Sequence, residues 1–167
     1  MKNPFHQTTI NSVPEGTQKS GERGFNMLQV NFYDQTEDSL LEFAVIITKT
    51  NGKWVFCKHK KRDTYEVPGG HREDGETILE TAKRELQEET GAIDFAIKPV
   101  CAYSVKGETN QPEKRYGMLF VAEVFAFEKE LYSEIEKIII TDQLIDNWTY
   151  PLIQPKLLEE ARRRGCL

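Results

Sequence analysis

Short runs of apolar, β-branched and aromatic residues, broken by polar turns, dominate the first two thirds of the chain. FAVIITK (43–49) and KWVFCKH (53–59) read as strands, and the Asn51-Gly52 pair between them is the strongest short-range hairpin signal. MLQVNFY (27–33) predicts an earlier strand. YEVPGG (65–70) predicts a short one that ends at a proline and two glycines, where the chain must turn sharply. Two longer strand-like stretches follow, IKPVCAYSV (97–105) and YGMLFVAEVFAF (116–127), joined by the polar KGETNQPEKR, and IEKIIIT (135–141) reads as another strand. Between them the period changes. The segment after Thr77 opens on a capping box, Thr77 with Glu80 three residues on, and stops at Gly91 in the position of a C-terminal cap. PKLLEEARRRG (155–165) predicts a closing helix with Pro155 near its start. Residues 1–24 are polar, carry both Pro and Gly and show no sustained periodicity, which predicts a loose arm ahead of a single domain over 25–167. There is no internal repeat. Strands outnumber helices and the joins include hairpins, so the expected class is α/β, with helices packed on a sheet.

Composition narrows the function more than the fold. The 167 residues are 38% hydrophobic and 29% charged, as in an ordinary folded domain. A net charge of -5 and a pI near 5.3 argue against a surface for bulk DNA while leaving room for a local phosphate site. No apolar run approaches the roughly 18 residues of a membrane span, and MKNPFHQTTINS lacks the apolar core of a signal peptide, so a cytoplasmic protein without membrane contact is expected. Cys57, Cys101 and Cys166 are far apart and lack CxxC spacing, which suggests reduced, structural thiols in place of disulfides or a zinc site.

The predicted helix after Thr77 carries the chemistry. At about 100° per residue, with Glu85 as zero, Glu88 and Glu89 fall within roughly 60° on either side, and Ala82, Leu79 and Leu86 lie between about 60° and 120°. The three carboxylates therefore sit beside the apolar stripe and not opposite it, as groups at the edge of a core facing a cleft would. Crowded carboxylates repel and rise in pKa unless a cation compensates them. A divalent metal does so economically, since Mg²⁺ is commonly held by a few carboxylates together with substrate phosphates. A surface cluster offset by Arg84, in reach of Glu88 at i+4, is the bland alternative. Gly69 and Gly70 just before the helix allow a close backbone approach, where a carbonyl can add a ligand. Glu76, near the helix start, suits a capping or dipole role.

Taken together, GGHREDGETILETAKRELQEETGA (69–92) resembles the signature of the Nudix hydrolases, the MutT-like family: Gly, five residues, Glu, seven residues, Arg-Glu, an aliphatic, any residue, Glu-Glu, any residue, Gly and an aliphatic. Gly70, Glu76, Arg84-Glu85, Leu86, Glu88-Glu89 and Gly91 match it, and Ala92 stands where a bulkier aliphatic is usual. With each fixed position matched by chance about one time in fifteen, coincidence is negligible. The resemblance implies an α/β/α sandwich around a mixed sheet. It implies hydrolysis of a nucleoside diphosphate linked to another group, by water attack at phosphorus. It also implies Mg²⁺ or Mn²⁺ held by Glu85, Glu88 and Glu89 with help from the Gly69 carbonyl, Arg84 orienting a glutamate, and Glu76 pairing with that arginine. Family members often form homodimers, so self-association is open. The stretch from LQVNFYDQ through NGKW to YEVPGG is similar to bacterial members acting on nucleoside triphosphates, oxidised purines included. The expected reaction is thus triphosphate to monophosphate and pyrophosphate. The alternatives are a nucleotide sugar, dinucleotide or capped RNA as substrate, or a non-catalytic nucleotide sensor.

The general base has several sources in such a family: Glu85 or Glu88 within the signature, or a later glutamate. In YSEIEKIIITDQL, Glu134 and Glu136 are the candidates, with Glu136 favoured. Lys58 and Arg62, in KHKKR ahead of the glycine loop, are candidates to steer a polyphosphate, against the reading of a solvated strand end. Tyr65, Tyr103 and Tyr116 at strand spacing read as core more readily than as base-stacking groups.

Overall fold

A computed structural model describes residues 7–8, 27–107, 113–131 and 133–167. Its strands are β1 (Gln7–Thr8), β2 (Gln29–Tyr33), β3 (Leu41–Thr50), β4 (Lys53–His59), β5 (Gly69–His71), β6 (Ala92–Lys106), β7 (Arg115–Phe127) and β8 (Ile135–Thr141), with helices α1 (Ile78–Thr90) and α2 (Gln154–Arg163). They form one mixed sheet in the order β1-β2-β6-β7-β3-β4-β8, with β5 pairing on β3. β3 runs parallel to β7, and every other pairing is antiparallel.

The sheet separates two cores, and strand alternation explains why. Ile46 and Ile47 are neighbours in β3 and both are fully buried, yet Ile46 packs with α1 and Ile47 with α2. Along β7, Phe120 and Ala122 face α1 while Leu119 and Val121 face α2. Ile78, Ala82 and Leu86 close one side, and Leu157, Leu158 and Ala161 close the other. Strands covered on both faces read as continuous apolar runs, which is how 43–49 and 116–127 appear in the sequence. Each fully buried aliphatic side chain there contributes roughly 1.5–3 kcal/mol of transfer free energy. This is the expected α/β/α layering.

Local signals hold closely. Asn51 and Gly52 both take positive φ, 47° and 77°, between the pair Thr50 and Lys53, as a two-residue hairpin with matching twist requires. Helix α1 starts on the complete Thr77–Glu80 capping box and ends on Gly91 in the left-handed region. Two expectations differ. The strand read in YEVPGG is reduced to isolated bridges, Cys57 with Glu66 and Tyr65 with Trp148, and the ladder strand begins only at Gly69. Within the expected loose arm, Gln7 and Thr8 pair antiparallel with Tyr33 and Phe32, while residues 1–6 and 9–24 lie outside the described residues. Cys57, Cys101 and Cys166 are free thiols. Among the described residues no helix is long and apolar enough to cross a membrane.

Candidate active site

Helix α1 buries Ile78, Thr81, Ala82, Glu85, Leu86 and Glu89, a stripe at i, i+3, i+4, i+7, i+8 and i+11. Glu85 and Glu89 are thus members of the buried stripe, not its neighbours, and Leu79, expected in it, is 38% exposed. Glu88 is exposed one step around the helix.

β5 brings the glycine loop against this stripe. A side chain on Gly70 would collide with the Glu85 carboxylate, so the absent Cβ is what lets that carboxylate lie against the loop. The Gly69 N–H donates to Glu89 Oε2 at 2.9 Å. The carboxylates are further ordered by Arg84. Its guanidinium donates to both oxygens of Glu76 at 2.6 and 3.1 Å, to Glu85 Oε1 at 2.7 Å, to Glu88 Oε2 at 3.3 Å and to the His71 carbonyl at 2.9 Å. Such a planar fork fixes direction as well as charge. Hydrogen bonding from Arg84, helped by the Glu73 N–H and the Thr81 hydroxyl, holds the Glu76 carboxyl down at about 2. Glu76 is therefore the anchor that aims Arg84.

The buried acids respond in the opposite direction. Desolvation raises Glu85 above the usual carboxylate range even with Arg84 beside it. Burial pushes Glu89 up to about 8, opposed by the Gly69 N–H and reinforced by the charges of Glu85, Glu66 and Glu134. Beside Glu89 stand His59 Nε2 at 3.4 Å from Oε1 and the Cys57 thiol at 3.8 Å from Oε2. Glu85, Glu88 and Glu89 line a cleft of about 640 Å³ together with Glu128, Glu130 and Glu134. Arg84 bonds Glu85 and Glu88, and an oxygen-rich donor set with this much negative charge fits a divalent cation.

The other sequence candidates lie elsewhere or are already engaged. Glu136, favoured as a base, is not at the cleft: Lys58 Nζ holds its carboxylate at 2.5 Å, because the β4–β8 register shifts between Lys58 and His59 and turns that residue to Lys58. Glu134 reaches the cluster instead, with Oε1 3.9 Å from His59 Nδ1. Lys58 also pairs with Asp63 at 3.7 Å. Arg62 bonds Glu66 at 3.2 Å and the Tyr150 hydroxyl at 3.4 Å. Tyr103 is a core residue, 1% exposed. The sequence reading missed His59 and Glu66. Strand alternation was the available signal, since it places His59 on the same face of β4 as buried Cys57, and the β4 bridge from Cys57 to Glu66 carries the second residue in.

The chain has relatives among known proteins. The model of the NUDIX domain matches residues 39–160. A protein of Bacillus subtilis named "Putative 8-oxo-dGTP diphosphatase YtkD" is 32% identical over 123 residues, covering 73% of this chain and 75% of the other. Among solved structures, the Bacillus subtilis pyrophosphohydrolase BsRppH superposes with a TM-score of 0.69 at 26% identity, covering 83% of this chain and 91% of that one. A NUDIX hydrolase from Nitrosomonas europaea gives 0.61 at 20% identity, over 74% and 89% of the two chains, a likeness of fold. With the signature glutamates gathered at one glycine loop and the domain match covering the whole of α1 and most of the chain, the chain belongs to the Nudix family and is a hydrolase of phosphoanhydride bonds.

Proposed function

We propose that this enzyme is a metal-dependent pyrophosphohydrolase that converts a nucleoside triphosphate, with oxidised purine forms the first to try, to the monophosphate and pyrophosphate. The observation that carries the reading is the convergence of Glu85, Glu88 and Glu89 with Glu134 on one cleft, beside a loop whose Gly70 leaves room for the Glu85 carboxylate. The name carried by the 32% identical relative supports the choice of substrate.

Glu85, Glu88 and Glu89 would hold Mg²⁺ or Mn²⁺, with the Gly69 carbonyl as a further ligand. When bound, such an ion neutralises charge on the phosphate oxygens and acts as a Lewis acid. The rest falls to the chain. Arg84, aimed by Glu76, fixes the Glu85 carboxylate so that no reorientation is needed as charge develops. Glu134, at the rim of the same cleft, takes the proton of the attacking water; the water oxygen bonds to phosphorus, the bridging P–O bond breaks, and pyrophosphate departs. Lys58 and Arg62 serve at most as long-range steering charges, since both already carry carboxylate partners. The cytoplasm, where nucleoside triphosphates and reduced thiols coexist, is the compartment this reading assigns.

The test is a panel of canonical and oxidised triphosphates, nucleotide sugars, dinucleotide polyphosphates and capped RNA with Mg²⁺ or Mn²⁺, products being identified by chromatography. A monophosphate plus pyrophosphate from one triphosphate is the expected result. Glu88→Gln should lower kcat about a hundredfold or more with an unchanged circular dichroism spectrum. Full activity in that folded variant would defeat the assignment, and turnover only of a linked nucleotide would move the substrate class.

A further inference from the structure

His59 ends β4 with its ring in the acidic cluster. Nε2 stands 2.8 Å from Glu66 Oε1 and 3.4 Å from Glu89 Oε1, and one donor atom from each of the three residues lies within 4.8 Å of the others. Both carboxylates are 5% exposed, and they come from different segments, the loop after β4 and helix α1. Two donors held about 2.1 Å from a common ion are separated by about 3.0 Å in octahedral and about 3.4 Å in tetrahedral geometry. The imidazole–Glu89 distance matches the tetrahedral value, and the imidazole–Glu66 distance lies just inside the octahedral one. Arg62 pairs with Glu66 at 3.2 Å and Arg84 with Glu85 at 2.7 Å, whereas Glu89 faces the imidazole together with the charges of Glu85, Glu66 and Glu134, an excess that a dication would offset.

We propose that His59, Glu66 and Glu89 form a mixed nitrogen and oxygen site for a first-row transition ion, Zn²⁺ or Co²⁺ ahead of Mg²⁺. Mg²⁺ keeps to oxygen ligands and dehydrates reluctantly, whereas imidazole with carboxylates is a donor set that borderline ions favour. The site shares Glu89 with the hydrolytic cluster, so its occupant stands next to the cleft. It does not depend on which nucleotide that cleft hydrolyses.

The experiment uses the full chain with ¹⁵N-labelled histidine. One equivalent of Zn²⁺ should move the ring-nitrogen resonance of His59, identified by its absence in His59→Gln, while excess Mg²⁺ leaves it in place. Calorimetry should show His59→Gln weakening Zn²⁺ about tenfold or more and Mg²⁺ less than about twofold. Glu66→Gln keeps the ring and should weaken Zn²⁺ in the same sense, which covers the case of a His59 variant that folds poorly. A His59 resonance indifferent to Zn²⁺, or equal Zn²⁺ affinity in wild type and His59→Gln, overturns the proposal. The outcome is separable from the hydrolytic reading: Glu88→Gln should lose turnover and keep the resonance shift. A wild type that shows the shift but hydrolyses no triphosphate contradicts only the function proposed above.

Discussion

Two glutamates, one on each helix and one on each side of the sheet, are almost equally hidden. Glu160 on α2 is 1% exposed and Glu89 on α1 is 5% exposed. Their surroundings are opposite. Arg163 and Arg164 donate to Glu160 at 2.6 to 2.8 Å, and although burial alone would raise it, those two guanidinium groups outweigh the desolvation and hold it below the usual range. Arg164 also reaches Asp34, tying the end of α2 to the chain after β2. Glu89 has a backbone N–H, an imidazole and a thiol beside it, with further carboxylates around, and burial leaves it at about 8. A buried charge that the protein neutralises itself is architecture. One that it leaves under-compensated marks a place where a ligand's charge belongs.

Perturbing the loop on the α1 side should have the largest effect. Gly70→Ala pushes a methyl group into the Glu85 carboxylate, the far end of a side chain and not backbone, so the fold should survive while kcat/KM falls about tenfold to a hundredfold, measured beside a melting curve that shifts little. On the α2 side the ordering reverses. Glu160→Gln leaves two arginines with a neutral partner and should cost about 1–3 kcal/mol in urea unfolding, with kcat unchanged at temperatures where the variant is folded. The smallest effect belongs to a pair at the β4–β8 edge that contacts neither buried glutamate. Glu136→Gln loosens Lys58 at the surface and should change stability and KM only marginally; a large loss of kcat there would restore it as the base in place of Glu134.

Much of this layout is legible in the sequence. The capping box and Gly91 mark α1, Asn51-Gly52 marks the β3–β4 hairpin, and the uninterrupted apolar runs mark strands covered on both faces, because each signal is local. The burial of Glu85 and Glu89 was not legible, since hydropathy assigns the buried stripe to apolar residues and so favoured Leu79. Only the close approach of β5 turns the helix the other way. His59 was hidden in KHKKR, where its neighbours read as solvated cations, and Glu66 in a segment that forms a bridge and no full strand. Glu134 and Glu136 are distinguished by a register shift in the β4–β8 ladder, a feature of strand pairing that composition does not encode. Trp148, unplaced by any pattern, packs edge-on against Phe56 at 5.4 Å.

The most direct test of the contrast is thermal stability against pH in a chelator, for wild type and Glu89→Gln. An acid raised from 4.5 in the unfolded chain to about 8 in the folded protein takes up a proton on folding. Its contribution is therefore full below about 4.5 and is lost as pH rises through about 8. Wild type should lose Tm relative to Glu89→Gln across that window, and a divalent metal at the upper end should restore wild type but not the variant. Parallel curves for the two proteins, with metal or without, would contradict the claim that Glu89 is held in wait for a cation.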